Sequence, residues 1–163
     1  MSVNKYAPHL VILPEDDANR QIVNGFILDP SINHQIIQVL PPAKGWRKLL
    51  YKFKQEYIPD MRRYNHRRIA LVMDFDQDSN RIDHVRDSIP TDLLHRTVIL
   101  GVWTEPEKLK QATAWSYEKI GRNLVCYCPP AANSLWHHKL LSHNTTELNR
   151  IGQDLNSFLF NPT

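Results

Sequence analysis

Short apolar segments alternate with longer amphipathic segments along this chain, and this alternation constrains the fold more than any other feature. The apolar segments are rich in β-branched residues, which predicts four strands, at residues 10–13, 36–40, 69–73 and 97–103. The segments between them are long enough to hold crossover helices. This order is typical of a parallel sheet with helices on both faces. We therefore predict a compact α/β domain with about four parallel strands.

The helices are predicted from apolar periodicity and from capping residues. The clearest has Trp46, Leu49, Leu50, Phe53 and Tyr57 on one face, and Pro59 is expected to end or kink it. A fifth short strand is expected at residues 124–128, followed by a C-terminal helical tail. The first predicted helix begins at Asp16 or Asp17 and stops at Asp29. The other predicted helices cover residues 44–57, 81–87, 104–120 and 145–160.

Length and composition exclude several classes of protein. A chain of 163 residues is long enough for one well-buried core, so we treat 1–163 as a single domain. Hydrophobic residues make up 42% and charged residues 23%, which excludes general disorder. The longest apolar runs, such as Ile69–Met73, are far shorter than the ~18 residues of a membrane span. The N-terminal residues have no apolar signal core, so we expect a cytoplasmic protein.

Positive charge is concentrated in one part of the chain. The net charge is +3, but residues 44–68 contain nine Lys or Arg and two Asp or Glu, a local charge of +7. Such asymmetry indicates a polyanionic partner, here DNA or RNA, although a solvated basic helix face is the alternative. The candidate nucleic-acid contacts are Arg47, Lys48, Lys52, Arg62 and Arg63.

Carboxylates follow two of the predicted strands at the edge where parallel sheets usually carry their sites. Glu15 follows the first strand, and Asp74 and Asp76 follow the third. If the chain stays extended, Asp74 and Asp76 point to the same side while Phe75 faces the core. Carboxylates held this close repel unless a cation lies between them, and their hard oxygens suit Mg²⁺ or Mn²⁺. Glu15, Asp74 and Asp76 are therefore the candidate metal ligands and catalytic residues.

Other acidic residues near these strand ends have two interpretations. Asp78 is a further candidate, but Asp after a strand commonly caps a helix or forms a turn. Glu105 also belongs to a strong helix start, and Asp16 and Asp17 are better explained as capping residues. A calcium-binding loop beginning at Asp74 is excluded, because its sixth position is Ser79 and its twelfth is Val85.

A Glu at the end of the first strand and an Asp-x-Asp at the end of the third resemble the Toprim domain. That family includes topoisomerases, bacterial-type primases, ribosomal-RNA maturases and OLD-type nucleases. The resemblance covers residues 8–120 and leaves 121–163 as a C-terminal strand and helix extension. It matches Glu15, Asp74 and Asp76 to the family's acidic site residues, and it implies a compact Rossmann-like fold. The family's Glu is commonly followed by Gly, whereas this chain has Asp16.

The resemblance implies a Mg²⁺-dependent nuclease that hydrolyses phosphodiester bonds of DNA or RNA. The five glycines are scattered and form no phosphate-binding loop, so ATP hydrolysis is not expected from this chain. OLD-type systems pair a Toprim domain with an ATPase, which makes a separate ATPase a possible partner. The alternatives are a Toprim-like module that binds nucleic acid or regulates without cleaving, and a nucleotide-binding sensor.

Overall fold

A computed structural model describes residues 2–162 and confirms the predicted α/β fold with a four-stranded, all-parallel sheet. The strands lie in the order β2–β1–β3–β4 across the sheet. Their bounds are His9–Pro14 for β1, Ile37–Val39 for β2, Arg67–Val72 for β3 and Thr97–Leu100 for β4.

The two long central strands, β1 and β3, pair along their whole length. His9 lies opposite Arg67 and Pro14 opposite Val72, so both strands end at the same level. From β1 the chain first crosses to β2 on one side and then returns to β3 on the other side. The strand order therefore reverses at the β1–β3 pair, which is where open α/β sheets place their ligand sites.

Within residues 2–162, seven α-helices connect and cover the strands. A five-residue π-helical turn, Phe53–Tyr57, joins the second and third of them. The helices are α1 (Asp17–Ile27), α2 (Trp46–Lys52), α3 (Ile58–Arg63), α4 (Ser79–Asp87), α5 (Pro106–Thr113), α6 (Tyr117–Asn123) and α7 (Thr145–Leu159). None of the helices in residues 2–162 is long and apolar enough to cross a membrane.

Alternating strand residues supply the cores on the two faces of the sheet. On one face, Leu13 and Leu71 pack with buried side chains of α2, α3 and α4. On the other face, Ile12 and Ala70 pack with α1 and with the C-terminal helix α7, and α5 and α6 extend this second layer. The helical tail predicted from residues 145–160 is thus part of the core.

The structure departs from the predicted helices at Pro59. The helix does not end there, because the turn before Pro59 widens into a π-helix in which the Ile58 N–H donates to the Phe53 carbonyl. Proline has no N–H to donate and its ring crowds the preceding turn. Widening that turn lets the helical path continue through α3 as far as Arg63.

Two further departures lie in the second half of the chain. The helix predicted over 104–120 is broken, because Ala114 has a left-handed φ of 58° and Ser116 caps a new helix, α6. Residues 124–128 form no strand. The backbone N–H and carbonyl of Cys128 bond the Asn156 side chain, at 3.1 and 2.8 Å, so they are satisfied without a neighbouring strand.

Helices α1 and α6 approach so closely that their contact requires glycine. A Cβ added at Gly121 would lie 1.9 Å from the Ile22 carbonyl oxygen, and one at Gly25 would lie 2.0 Å from the Glu118 carbonyl oxygen. Both neighbouring atoms belong to the backbone, so a side chain would force the helices apart.

We predict that Gly121→Ala lowers the free energy of unfolding by about 1–3 kcal/mol. Helix propensity alone favours Ala over Gly by about 1 kcal/mol, so the two effects have opposite signs. Urea denaturation decides between them. The matched control is Arg122→Ala, an exposed position in the same helix, which should change little. A stabilised Gly121→Ala would contradict the close packing of α1 on α6.

Candidate metal centre

The carboxyl ends of β1 and β3 bring Glu15 and Asp74 together. The Glu15 backbone N–H donates to the Val72 carbonyl at 2.8 Å, which continues the β1–β3 pairing one residue beyond β1. Asp74 follows two residues after β3 at the same edge. The two carboxylates therefore meet at the point where the strand order reverses, as the sequence predicts for Glu15 and Asp74.

Asp16 completes a group of three carboxylates, which we call the acidic triad: Glu15, Asp16 and Asp74. One oxygen from each lies within 4.8 Å of the others. Glu15 is only 6% exposed and Asp74 only 9%. Because buried carboxylates are unfavourable without compensation, this arrangement needs either bound protons or a cation.

Asn19 links the capping of α1 to the acidic triad. The Asp16 Oδ1 accepts from the Asn19 backbone N–H at 3.0 Å, and the Asn19 Oδ1 accepts from the Asp16 backbone N–H at 3.2 Å. The Asn19 Nδ2 then donates to Asp74 Oδ1 at 3.0 Å. Sequence reasoning assigned Asp16 to capping alone, whereas it caps α1 and also belongs to the triad. The spacing of Asp16 and Asn19, three residues apart, is the signal that could have identified Asn19.

The triad holds protons in the absence of a cation. Burial raises the pKa of Asp74 to about 8, and the nearby Glu15 and Asp16 charges add to this effect. Burial also raises the pKa of Glu15, again with a contribution from Asp16. Because its pKa is raised to about 8, Asp74 keeps its proton near neutral pH. A cation bound by these oxygens would take the place of that proton.

Arg81, in the first turn of α4, holds the loop that follows Asp74. Its Nη1 donates to the Asp74 backbone carbonyl at 2.8 Å and lies 3.0 Å from Asp76 Oδ2. Its guanidinium group also lies over the Trp46 ring, 4.9 Å from the ring centroid. Sequence reasoning missed Arg81, because only the tertiary fold brings α4 against both Asp74 and α2.

Asp76 is not brought into the acidic triad. Its φ of 48° is left-handed, and the next residue, Gln77, is left-handed as well, so this part of the chain is not extended. The expected same-side projection of Asp74 and Asp76 therefore fails, although Phe75 is buried as expected. The Asp76 side chain is 56% exposed and forms an ion pair with Arg81.

The two additional candidates, Asp78 and Glu105, also lie outside the triad. Asp78 caps α4, accepting from the Asn80 backbone N–H at 3.0 Å, in agreement with its capping interpretation. Glu105 precedes α5 and lines a surface cleft together with Asp76, Lys108 and Lys139. The carboxylates predicted at this edge thus divide between a buried cluster and an open cleft.

The candidate nucleic-acid contacts spread along the path from α2 to α3. Arg47 and Lys48 lie in the first turn of α2 and are exposed, and Lys52 is partly buried. Arg62 and Arg63 lie in the last turn of α3, roughly 25 Å away at 1.5 Å per residue. That end of α3 leads into β3 and so lies at the amino edge of the sheet, away from the acidic triad.

Part of the positive charge in residues 44–68 is used inside the fold. Arg68 forms a two-pronged ion pair with Asp154, with both N–O distances 2.8 Å. Arg67 is buried against His9 and Asp60, and Arg62 pairs with Asp92 at 3.2 Å. The local charge of +7 therefore overstates what is available to a partner.

Comparisons with known proteins identify no relative. No protein-family model, curated protein or solved structure matches this chain.

The donor set of the acidic triad fits a hard divalent cation. All three candidate ligands are carboxylate oxygens that lie within 4.8 Å of one another, and oxygens around one Mg²⁺ at 2.0–2.1 Å lie about 3–4 Å apart. Mg²⁺ and Mn²⁺ are commonly bound by a few carboxylates, and water or substrate oxygens complete the coordination. The acidic triad can therefore hold a metal ion.

We predict that, without divalent cations, the protein loses stability as the pH rises from about 4 to 8. The folded chain keeps a proton on Asp74 that the unfolded chain releases near pH 4. The contribution of this group to the free energy of unfolding is therefore complete below about pH 4 and declines until the pH reaches the folded pKa of about 8. At about 1.4 kcal/mol per pH unit for one proton, the loss over this range should be on the order of 5 kcal/mol.

Asp74→Asn isolates this effect when unfolding is measured by urea titration in EDTA at several pH values. The variant should show a smaller decline than wild type, because its side chain has no proton to release, while Glu15, whose pKa burial also raises, still contributes. The comparison with wild type is needed because burial lowers the pKa of His9 and His143, which adds a slope of opposite sign. If the free energy of unfolding changes with pH in the same way for wild type and Asp74→Asn, the contribution of the Asp74 proton is ruled out.

A second experiment separates the ligand set in the structure from the set expected from sequence. Asp16→Asn keeps the cap of α1, since Asn and Asp cap equally well. We expect it to weaken Mn²⁺ binding about 10-fold or more, as Glu15→Gln should, whereas Asp76→Asn should stay close to wild type. Calorimetric titration with Mn²⁺ measures the affinity of each variant. A large loss of Mn²⁺ affinity in Asp76→Asn with little loss in Asp16→Asn would favour the ligand set Glu15, Asp74 and Asp76.

Proposed function

We propose that this protein is a Mg²⁺- or Mn²⁺-dependent nuclease that hydrolyses phosphodiester bonds of DNA or RNA. One observation carries the proposal: three carboxylates converge at the edge of the sheet between β1 and β3, where the strand order reverses. Two of them, Glu15 and Asp74, are residues that the Toprim resemblance matches to acidic site positions. Exposed basic side chains on the neighbouring helix α2 add support for a polyanionic substrate.

Each carboxylate has a distinct role in this proposal. A divalent cation held by the triad would act as a Lewis acid on the scissile phosphate. Asp74 and Asp16 would hold the ion, and the Asn19 amide fixes the orientation of Asp74 through its 3.0 Å hydrogen bond. Glu15 would bind the ion through one carboxylate oxygen, and its other oxygen would accept a proton from the attacking water. The water oxygen would bond to phosphorus as the bond to the leaving sugar oxygen breaks, and the leaving oxygen would take a proton from solvent water.

Phosphodiester hydrolysis consumes only water, so the proposed reaction needs no nucleotide cofactor. A separate ATPase would serve to load or move the substrate. This role is proposed from the Toprim resemblance, because OLD-type systems combine the two activities.

Cleavage of labelled single- and double-stranded DNA and RNA by the purified protein tests the proposal. We expect product with Mg²⁺ or Mn²⁺ and none with EDTA. Glu15→Gln and Asp74→Asn should each lower the rate about 100-fold or more, since each removes a ligand or the proton acceptor. The matched control is Asp87→Asn, an exposed carboxylate at the last residue of α4 and so at the end of that helix remote from the triad, which should cleave like wild type.

The outcomes of this experiment are distinct. Cleavage that persists in both triad variants would place the activity elsewhere or in a contaminant, and would refute the proposed site. Binding without cleavage on every substrate, with the metal bound, would refute hydrolysis and favour the non-catalytic binding module.

A further inference from the structure

A groove between α2 and α4 combines aromatic and basic side chains. It has a volume of about 400 Å³, within the range of small-molecule sites. Both helices begin at the carboxyl edge of the sheet, so the groove starts beside the acidic triad and runs away from it along the helices. Its lining consists of Trp46, Arg47, Leu50, Tyr51, Lys54 and His84.

One face of the helical segment carries a basic, an aromatic and a second basic side chain. Arg47, Tyr51 and Lys54 are spaced at i, i+4 and i+7, which aligns them on the same side. Tyr51 is 66% exposed, an unusual position for a large aromatic ring. Its ring is open to a planar group, with a cationic side chain on either side along the helix.

Trp46 forms the wall of the groove next to the triad. The Arg81 guanidinium lies over its ring at 4.9 Å and that of Arg47 lies 5.1 Å from the ring centroid. The His84 ring meets its edge, with centroids 5.8 Å apart and planes at 88°. Trp46 is therefore already packed, and Tyr51 is the ring that remains available for stacking.

The groove is joined to the acidic triad by direct contacts. The backbone N–H of Lys44, just before α2, donates to the Glu15 carbonyl at 2.7 Å. On the other side, Arg81 contacts the Trp46 ring and donates to the Asp74 carbonyl at 2.8 Å. The Trp46 end of the groove therefore lies beside the chain segments that carry Glu15 and Asp74.

Charge identifies the kind of occupant. Arg47 and Lys54 have no acidic partner in the ion pairs formed by residues 2–162, unlike Arg62, Arg67 and Arg68. Cations flanking an open aromatic ring match a strand of phosphates with an unpaired base between them. In a duplex the base faces are stacked on each other and cannot reach Tyr51.

We propose that this groove binds single-stranded nucleic acid. An unpaired base stacks on Tyr51, the phosphates on either side contact Arg47 and Lys54, and the strand continues toward Glu15 and Asp74. The last step, delivery to the triad, rests on the nuclease function proposed above. Binding in the groove does not depend on that function.

Fluorescence anisotropy in EDTA tests the groove separately from cleavage. The probes are a labelled single strand of about 12 nucleotides and a duplex of the same sequence. We expect the single strand to bind more tightly. Tyr51→Ala should weaken single-strand binding on the order of 10-fold, the loss typical for one stacked base. The matched control is Tyr127→Ala, an exposed tyrosine (58%) outside the groove whose ring stacks on Phe160, which should bind like wild type.

The double variant Arg47→Ala/Lys54→Ala tests the phosphate contacts. Its slope of log K against log salt concentration should be shallower than that of wild type by about 1.4, since each single-strand phosphate contact contributes about 0.7. Tyr51→Ala should leave this slope unchanged, because it removes no charge.

The outcomes separate the groove from the nuclease. Equal affinity for duplex and single strand, or equal loss in Tyr51→Ala and Tyr127→Ala, would overturn the single-strand proposal even if the protein cleaves. Tyr51-dependent single-strand binding in a protein that never cleaves would support the groove and refute the nuclease. Failure to bind either nucleic acid at low salt would overturn the proposal that the groove binds nucleic acid. An acidic peptide or another polyanion would then be the candidate occupant.

Discussion

The pairing of β1 with β3 at the centre of the sheet is the constraint on which the rest of this structure depends. The register of the pair makes the two central strands end at the same level. Because the chain visits β2 before it returns to β3, the helices that follow these strands leave in different directions. The space beyond their ends is therefore not filled by a direct connection. Glu15 and Asp74 occupy this space, and α1, α2 and α4 all begin around it.

The carboxylates at this edge oppose folding unless they are neutralised. Glu15 and Asp74 are almost fully buried, and their raised pKa values mean that the apo protein holds at least one proton between them. The Asn19 amide orients Asp74 but supplies no charge. Stability, metal affinity and the proposed catalysis are thus linked through the same few oxygen atoms, because a proton and a metal ion compete for them.

Much of the fold could be predicted from local patterns. The four strands and the C-terminal helix were predictable because β-branched runs and a 3.6-residue apolar period each act over a few residues. The helix of residues 104–120 was not predictable as two helices, because Ala114 adopts a left-handed φ of 58° that Ala rarely takes. The π-helical turn before Pro59 likewise depends on how the whole segment packs, with Phe53 and Met61 buried in the same core.

For the site, the sequence by itself determined that Glu15 and Asp74 follow strands whose carboxyl ends lie at the same edge of the sheet, because parallel strands run in the same direction. It did not determine the third carboxylate. The expectation for Asp76 assumed an extended chain after β3, whereas hydrogen bonds from Phe75 and Asp76 to the chain beyond β4 turn that loop and expose Asp76. Only the tertiary structure brings Asp16, Asn19 and Arg81 to the same edge, because their positions depend on how α1 and α4 pack against opposite faces of the sheet.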